Sequence, residues 1–181
     1  EDIYYGYKWY ETADEEGYFD SVSTDYGDGY VGVVQYPFGF GLTYSQFEMS
    51  DMKVKETKES YTVSCAVKNT GKAAAKQVIQ LYSSELNPEV DRPAIELRGY
   101  KKTALLKPGE STVVEIIINK CDLMTYNEKA AAWKLTKGDY DLLLGFDSQT
   151  LPLKQHITIT KEILRPVTTV MAPASGEVFI K

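Results

Sequence analysis

Tyr61-Thr62-Val63-Ser64-Cys65-Ala66-Val67-Lys68 alternates a larger apolar side chain with a polar or small one, and Asn69-Thr70-Gly71 follows it. A period of two with one apolar face is the pattern of a half-buried strand, and the Asn-Thr-Gly step is turn chemistry. The same alphabet recurs downstream. Val78 to Tyr82 is a denser strand, apolar on both faces except at Gln80, and the run Asn87 to Pro93 breaks it, because each proline lacks a ladder donor. Ile95 to Leu106 reads as one or two further strands, stopped by Lys107-Pro108-Gly109, and Val113 to Ile118 is the most β-branched segment. Asp139 to Phe146 and Leu151 to Ile159 complete the set, divided by Asp147-Ser148-Gln149. Strands spaced by roughly 8–15 residues, without a convincing amphipathic helix between them, predict an all-β antiparallel sandwich.

A local device sharpens the expectation. Leu135-Thr136-Lys137-Gly138-Asp139-Tyr140 puts a tyrosine at the start of a late strand, just after a glycine turn. In immunoglobulin-like and fibronectin type III-like sandwiches such a tyrosine reaches back to a backbone group at the sheet corner. Tyr140 is therefore expected to be structural.

Residues before this region differ in kind. The chain has 181 residues and a formal net charge of -6, but residues 1–50 hold ten acids against one base, Lys8. Nine of the fourteen tyrosines lie between Tyr4 and Tyr44. This break predicts an extended, aromatic-rich N-terminal segment at 1–44, the sandwich at 45–160, and a tail or linker at 161–181. Ile3 to Tyr10 is aromatic on both faces if extended, so it reads as a strand that covers something on each side, and Thr12 to Gly29 reads as a polar loop. In Tyr36-Pro37-Phe38-Gly39-Phe40-Gly41-Leu42-Thr43-Tyr44, the proline with Gly39 and Gly41 fixes the path while the aromatics fill space. The start at Glu1, in mid-strand and without methionine, reads as a piece of a longer or processed polypeptide.

The composition narrows function. An acidic chain without clustered Lys and Arg disfavours nucleic acid, and no apolar stretch approaches the ~18 residues needed to span a bilayer. Cys65 and Cys121 are too few for a disulfide framework and lack zinc-site spacing. Cys65, inward on its strand, reads as a buried free thiol. The one histidine, His156, lies among strand residues, and neither a Gly-x-Ser-x-Gly elbow nor a phosphate loop is present. The acids Asp14, Glu15, Glu16, Asp20, Asp25 and Asp28 are oxygen ligands of the kind calcium takes, but their spacing fits no calcium loop, so neither a metal nor another cofactor is expected. Trp9, Tyr10 and Tyr26 suit either stacking on sugar rings or packing against another domain, and the compartment is left open.

Read together, these segments resemble the C-terminal part of family 3 glycoside hydrolases, the β-glucosidase-like enzymes. Asp2-Ile3-Tyr4-Tyr5-Gly6-Tyr7-Lys8-Trp9-Tyr10 looks like that family's Gly-Ile-x-x-Gly-Tyr-Arg-x-Tyr strand, with Asp2 in place of Gly and Lys8 in place of Arg. The 36–44 stretch is similar to its Pro-Phe-Gly-x-Gly-Leu-Ser-Tyr signature. Val67 to Gly71, Val78 to Tyr82, Arg92-Pro93 with Glu96 to Tyr100, and Leu106 to Glu110 follow in the order of its fibronectin type III-like domain. The resemblance implies a parent with a catalytic barrel and an α/β domain that carry the nucleophile and the acid/base, neither of whose motifs occurs here. It implies that residues 1–44 begin with the last strand of the α/β domain. The chain is then a non-catalytic accessory module that stabilises the catalytic domains or shapes their cleft, with those domains as partners. A stand-alone carbohydrate-binding or structural sandwich is the alternative. Tyr7, Trp9, Tyr10, Asp91 and Arg92 fall in segments that the resemblance places near neighbouring domains or a β-linked oligosaccharide. An uncovered aromatic face on 1–44 would also favour a dimer through that segment.

Overall fold

The computed structural model describes residues 3–168. Asp2, the first residue of the aromatic motif, and residues 169–181 of the expected tail lie outside the described residues. In chain order the elements are α1 (Tyr7–Glu15), β1 (Ser23–Thr24), β2 (Gly27–Asp28), α2 (Tyr30–Val33), β3 (Phe47–Glu56), β4 (Ser60–Asn69), β5 (Val78–Leu86), β6 (Glu96–Lys102), β7 (Ser111–Asn119), β8 (Thr125–Asn127), β9 (Ala132–Leu135), β10 (Gly138–Gly145), β11 (Leu153–Ile159) and β12 (Ile163–Pro166). Two antiparallel sheets face each other, one ordered β3-β4-β7 and the other β11-β10-β5-β6. The all-β sandwich is borne out.

Alternation decides which side chains fill it. Tyr61, Val63, Cys65 and Val67 of β4 point inward beside Val114, Ile116 and Ile118 of β7. Ile79 and Leu81 of β5, with Tyr140, Leu142 and Leu144 of β10, close the opposite side. Burying a Val or Leu side chain is worth about 1.5–3 kcal/mol, so this interleaved stack is the main source of cohesion. Cys65 lies within it as a free thiol, 1% exposed, and burial pushes its pKa up to about 11. Gly99 lets β6 close over this stack, since a Cβ there would meet Ile116 Cγ2 at 2.9 Å. At the start of β10 the Tyr140 hydroxyl donates to the Thr136 carbonyl (3.1 Å).

β3 carries an irregularity that strict alternation would not reveal. Phe47 and Met49 face the core, then the register shifts between Ser50 and Lys53, with Asp51 at φ 55°. After this bulge Met52 and Val54 take over the inward positions.

The Thr12 to Gly29 stretch, expected as a loop, holds the end of α1 and the β1–β2 pair, and two further differences concern the flanks. The segment Ile3 to Tyr10, expected as a terminal strand, instead leads into helix α1 at Tyr7. The physical reason is the composition of the buried stripe. Tyr7, Lys8, Glu11 and Thr12 share one helical face, and their polar ends are satisfied by the sandwich rather than being apolar. A hydropathy period therefore carries no trace of it. The second difference lies in residues 161–168. Ile163–Pro166 form β12, which pairs with β9 to complete a small sheet ordered β12-β9-β8.

One buried amide closes the corner between the sheets. The Asn69 side chain, with no exposed surface, donates from Nδ2 to the carbonyls of Ala73 and Leu106 (2.8 Å each). Its Oδ1 accepts from Ser45 Oγ (2.6 Å) and Gly71 N (3.0 Å). Leaving a buried partner unmade costs about 1–3 kcal/mol. Asn69→Ala, which orphans several at once, is expected to lower unfolding stability by about 3 kcal/mol or more, read from the urea midpoint. A loss below 1 kcal/mol would show that water replaces the amide at no cost.

Candidate functional site

The residues expected to matter gather where the N-terminal segment crosses one end of the sandwich. From α1, the Tyr7 hydroxyl accepts from Leu97 N (2.8 Å), at the start of β6, and its ring stacks on Phe38 with centroids 4.2 Å apart. Lys8 Nζ pairs with Glu96 (2.8 Å), and Thr12 Oγ1 accepts from Ala94 N (2.9 Å). Glu11, 5% exposed, accepts from Ser148 Oγ (2.6 Å), from Tyr30 Oη (2.7 Å) and from Gln149 Nε2. A carboxylate this deep is tolerable because three donors converge on it.

The glycine-rich stretch is fastened by Gln80. Its Nε2 donates to the carbonyls of Gly39 (3.0 Å) and Phe146, and its Oε1 accepts from Tyr82 Oη (2.7 Å). Ser148 N adds a bond to the Phe38 carbonyl (2.9 Å). Gly39 has φ 82°, and a Cβ on it would overlap the Gln80 amide. Gly41 has no such constraint, since a Cβ there would meet nothing within 4 Å.

The remaining candidates divide. Asp91 is exposed and accepts from the Tyr4 hydroxyl (2.5 Å). Asp91, Trp9 and Tyr4 line a cavity of about 190 Å³ with Glu16 and Tyr18. Arg92 turns inward, its side chain 6% exposed, and places Nη2 2.7 Å from Glu85 Oε2, itself 7% exposed. Trp9 and Tyr10 contact each other edge to face at 5.0 Å and stay 45% and 37% exposed. Beyond them Tyr36, Phe38, Phe40, Leu42 and Tyr44 are also open to solvent, the last two almost fully. The structure thus unites Tyr7 with Gly39 at the seam and Trp9 with Asp91 at the cavity, and it gives Arg92 a carboxylate partner within the chain. Glu11, Gln80 and Asn69 escaped the sequence reading, although Gln80 stood out there as the polar exception in an apolar strand.

Residues 77–148, from β5 through the start of the β10–β11 turn, match the family described as the fibronectin type III-like domain. The sandwich has the fibronectin type III-like fold. Over a longer span the chain is 32% identical, across 167 residues, to thermostable β-glucosidase B of Acetivibrio thermocellus, a match that covers 90% of this chain and 20% of that protein. Its structure is similar to that of β-glucosidase 3B from Thermotoga neapolitana in complex with glucose (TM-score 0.76, 32% identity, 92% of this chain and 21% of that one). It is also similar to that of the Kluyveromyces marxianus β-glucosidase in complex with glucose (TM-score 0.77, 31% identity, 92% and 18%). The resemblance to family 3 glycoside hydrolases is borne out, and the chain spans about one fifth of the length of the relatives it matches. The fibronectin type III-like domain and its N-terminal segment thus occur together within larger enzymes. Among the described residues no helix is long and apolar enough to cross a membrane, a statement that leaves β-barrels aside.

Two outcomes test the seam. Gly39→Ala should destabilise the chain by about 1–3 kcal/mol and speed chymotrypsin cleavage between residues 36 and 44, while Gly41→Ala should change neither. Equal effects would remove Gln80 as the fastening point. The second concerns Glu96. Burial alone would raise its pKa, but Arg98, Lys8 and Arg92 outweigh burial and hold it below the usual carboxylate range. A depressed folded-state pKa contributes stability that is present above the unfolded value of about 4.3 and lost as pH falls through the folded one. Glu96→Gln should therefore flatten the acid limb of the stability curve below about pH 4.3. An unchanged limb would dismiss the pair.

Proposed function

We propose that this chain is a non-catalytic accessory module of a β-glucosidase, which stabilises the enzyme's catalytic domains or shapes their cleft. The observation that carries the reading is the two-sidedness of residues 3–44. One side is hydrogen-bonded into the fibronectin type III-like domain through Tyr7, Lys8, Glu11 and Gly39, and the other presents an aromatic surface that the sandwich leaves open. Exposed aromatic side chains in this number mark a docking face, because leaving them in water forfeits about 25 cal/mol per Å². The acidic balance of this region suits a partner surface rich in Lys and Arg, whose cations are drawn to aromatic faces as well as to carboxylates.

The test compares the chain alone with the enzyme that contains it. Leu42→Ser with Tyr44→Ser should leave the thermal midpoint of the 181-residue chain unchanged within about 2 °C. The same pair should lower the midpoint of the whole enzyme by about 4 °C or more, corresponding to roughly 1–2 kcal/mol per side chain uncovered. The isolated chain should not hydrolyse 4-nitrophenyl β-glucoside. An unchanged whole-enzyme midpoint would remove the docking role, and turnover abolished by a substitution within the chain would remove the non-catalytic one.

A further inference from the structure

Arg92 lines a groove that is bordered on one side by the Lys8–Glu96 pair of the seam. Two adjoining cavities of about 410 and 420 Å³ share Arg92, Thr125, Tyr126 and Glu128 in their walls. That is the size range of small-ligand sites, about 300–1,000 Å³. Three aromatic rings stand around the groove half open. Tyr5 is 56% exposed, Tyr126 42% and Trp133 44%, and the last two contact each other edge to face at 5.7 Å. None of the three belongs to the sandwich core.

Three cationic side chains in the walls are already paired. Lys8 is paired with Glu96 (2.8 Å), Lys134 with Glu162 (2.9 Å) and Glu89 (3.1 Å), and Arg92 with Glu85 (2.7 Å). A ligand of strong single charge would have to break one of these pairs, so the walls favour a neutral one. Hydrogen-bonding capacity nevertheless remains. Arg92 Nε is buried without an acceptor among the described residues, an unsatisfied donor that a native fold rarely leaves idle. Glu128, exposed on the rim, supplies a carboxylate acceptor. Open aromatic faces, a spare donor and a free carboxylate are the chemistry that recognises a neutral polyhydroxylated ring, whose C–H face stacks while its hydroxyls bond at the edge.

We infer that the groove between Tyr5, Arg92, Tyr126 and Trp133 binds a neutral oligosaccharide, with rings stacked on Trp133 and Tyr126 and a hydroxyl at the Arg92 floor. The β-linkage assigned to that oligosaccharide rests on the reading of the chain as part of a β-glucosidase; the groove itself does not. This separates the two ideas experimentally, because docking is read from the stability of the whole enzyme and the groove from binding to the isolated chain.

The experiment titrates cellotetraose, with maltotetraose as the comparison, into the 181-residue chain by calorimetry and by fluorescence of the Trp9→Phe variant, in which Trp133 is the only tryptophan. Cellotetraose should bind and change the Trp133 emission, and Tyr126→Ala and Trp133→Ala should each weaken binding by about tenfold or more. Both rings are half exposed, and a retained thermal midpoint in each variant separates lost contacts from lost folding. No heat and no emission change with several millimolar sugar would overturn the site. So would a loss of affinity on Trp9→Ala matching that on Trp133→Ala, which would move binding to the Asp91 cavity. Equal affinity for maltotetraose would support the groove and overturn the linkage.

Discussion

The primary amide of Gln80 is the point on which the arrangement of the two halves turns. It stands in β5, flanked by Val78, Ile79, Leu81 and Tyr82, and both ends of its amide are hydrogen-bonded. Its nitrogen serves carbonyls from the N-terminal segment and from the end of β10, and its oxygen takes the Tyr82 hydroxyl. Buried without these partners, the amide would cost several kcal/mol; with them it specifies a single path for the chain over the sandwich end. Phe38 is thereby set under Tyr7, and α1 is laid along the start of β6, where Lys8 and Thr12 reach their partners. The outward orientation of Trp9 and Tyr10 follows from this anchoring.

What could be read in the sequence follows a physical rule. β4, β7 and β10 were legible because their inward positions are uniformly apolar, and Tyr140 because a glycine turn preceded it. β3 was blurred by one inserted residue, which moves the inward phase from Met49 to Met52. α1 was misread because its buried stripe consists of Tyr7, Lys8, Glu11 and Thr12, and burial of satisfied polar groups leaves no hydrophobic period. β12 depends on pairing with β9, a contact that no local pattern announces.

The candidate site was legible by neighbourhood rather than by role. Tyr7, Trp9, Tyr10, Asp91 and Arg92 do lie around the N-terminal crossing. Yet Arg92 is occupied by Glu85, seven positions earlier in the chain, a pairing recognisable only once β5 is placed in register beside β10. Trp133 sits in a four-residue strand whose neighbours carry no alternation, so its place beside Tyr126 follows from the β8–β9 pairing alone.

Cys65 has a consequence of its own. A thiol at the centre of the β4 face, with its ionisation pushed well above neutrality by burial, is hidden from oxidants and alkylating reagents while the sheets remain closed. Its rate of modification therefore counts how often the whole sandwich opens, which makes this atom a built-in clock for the chain's rare excursions from the native state.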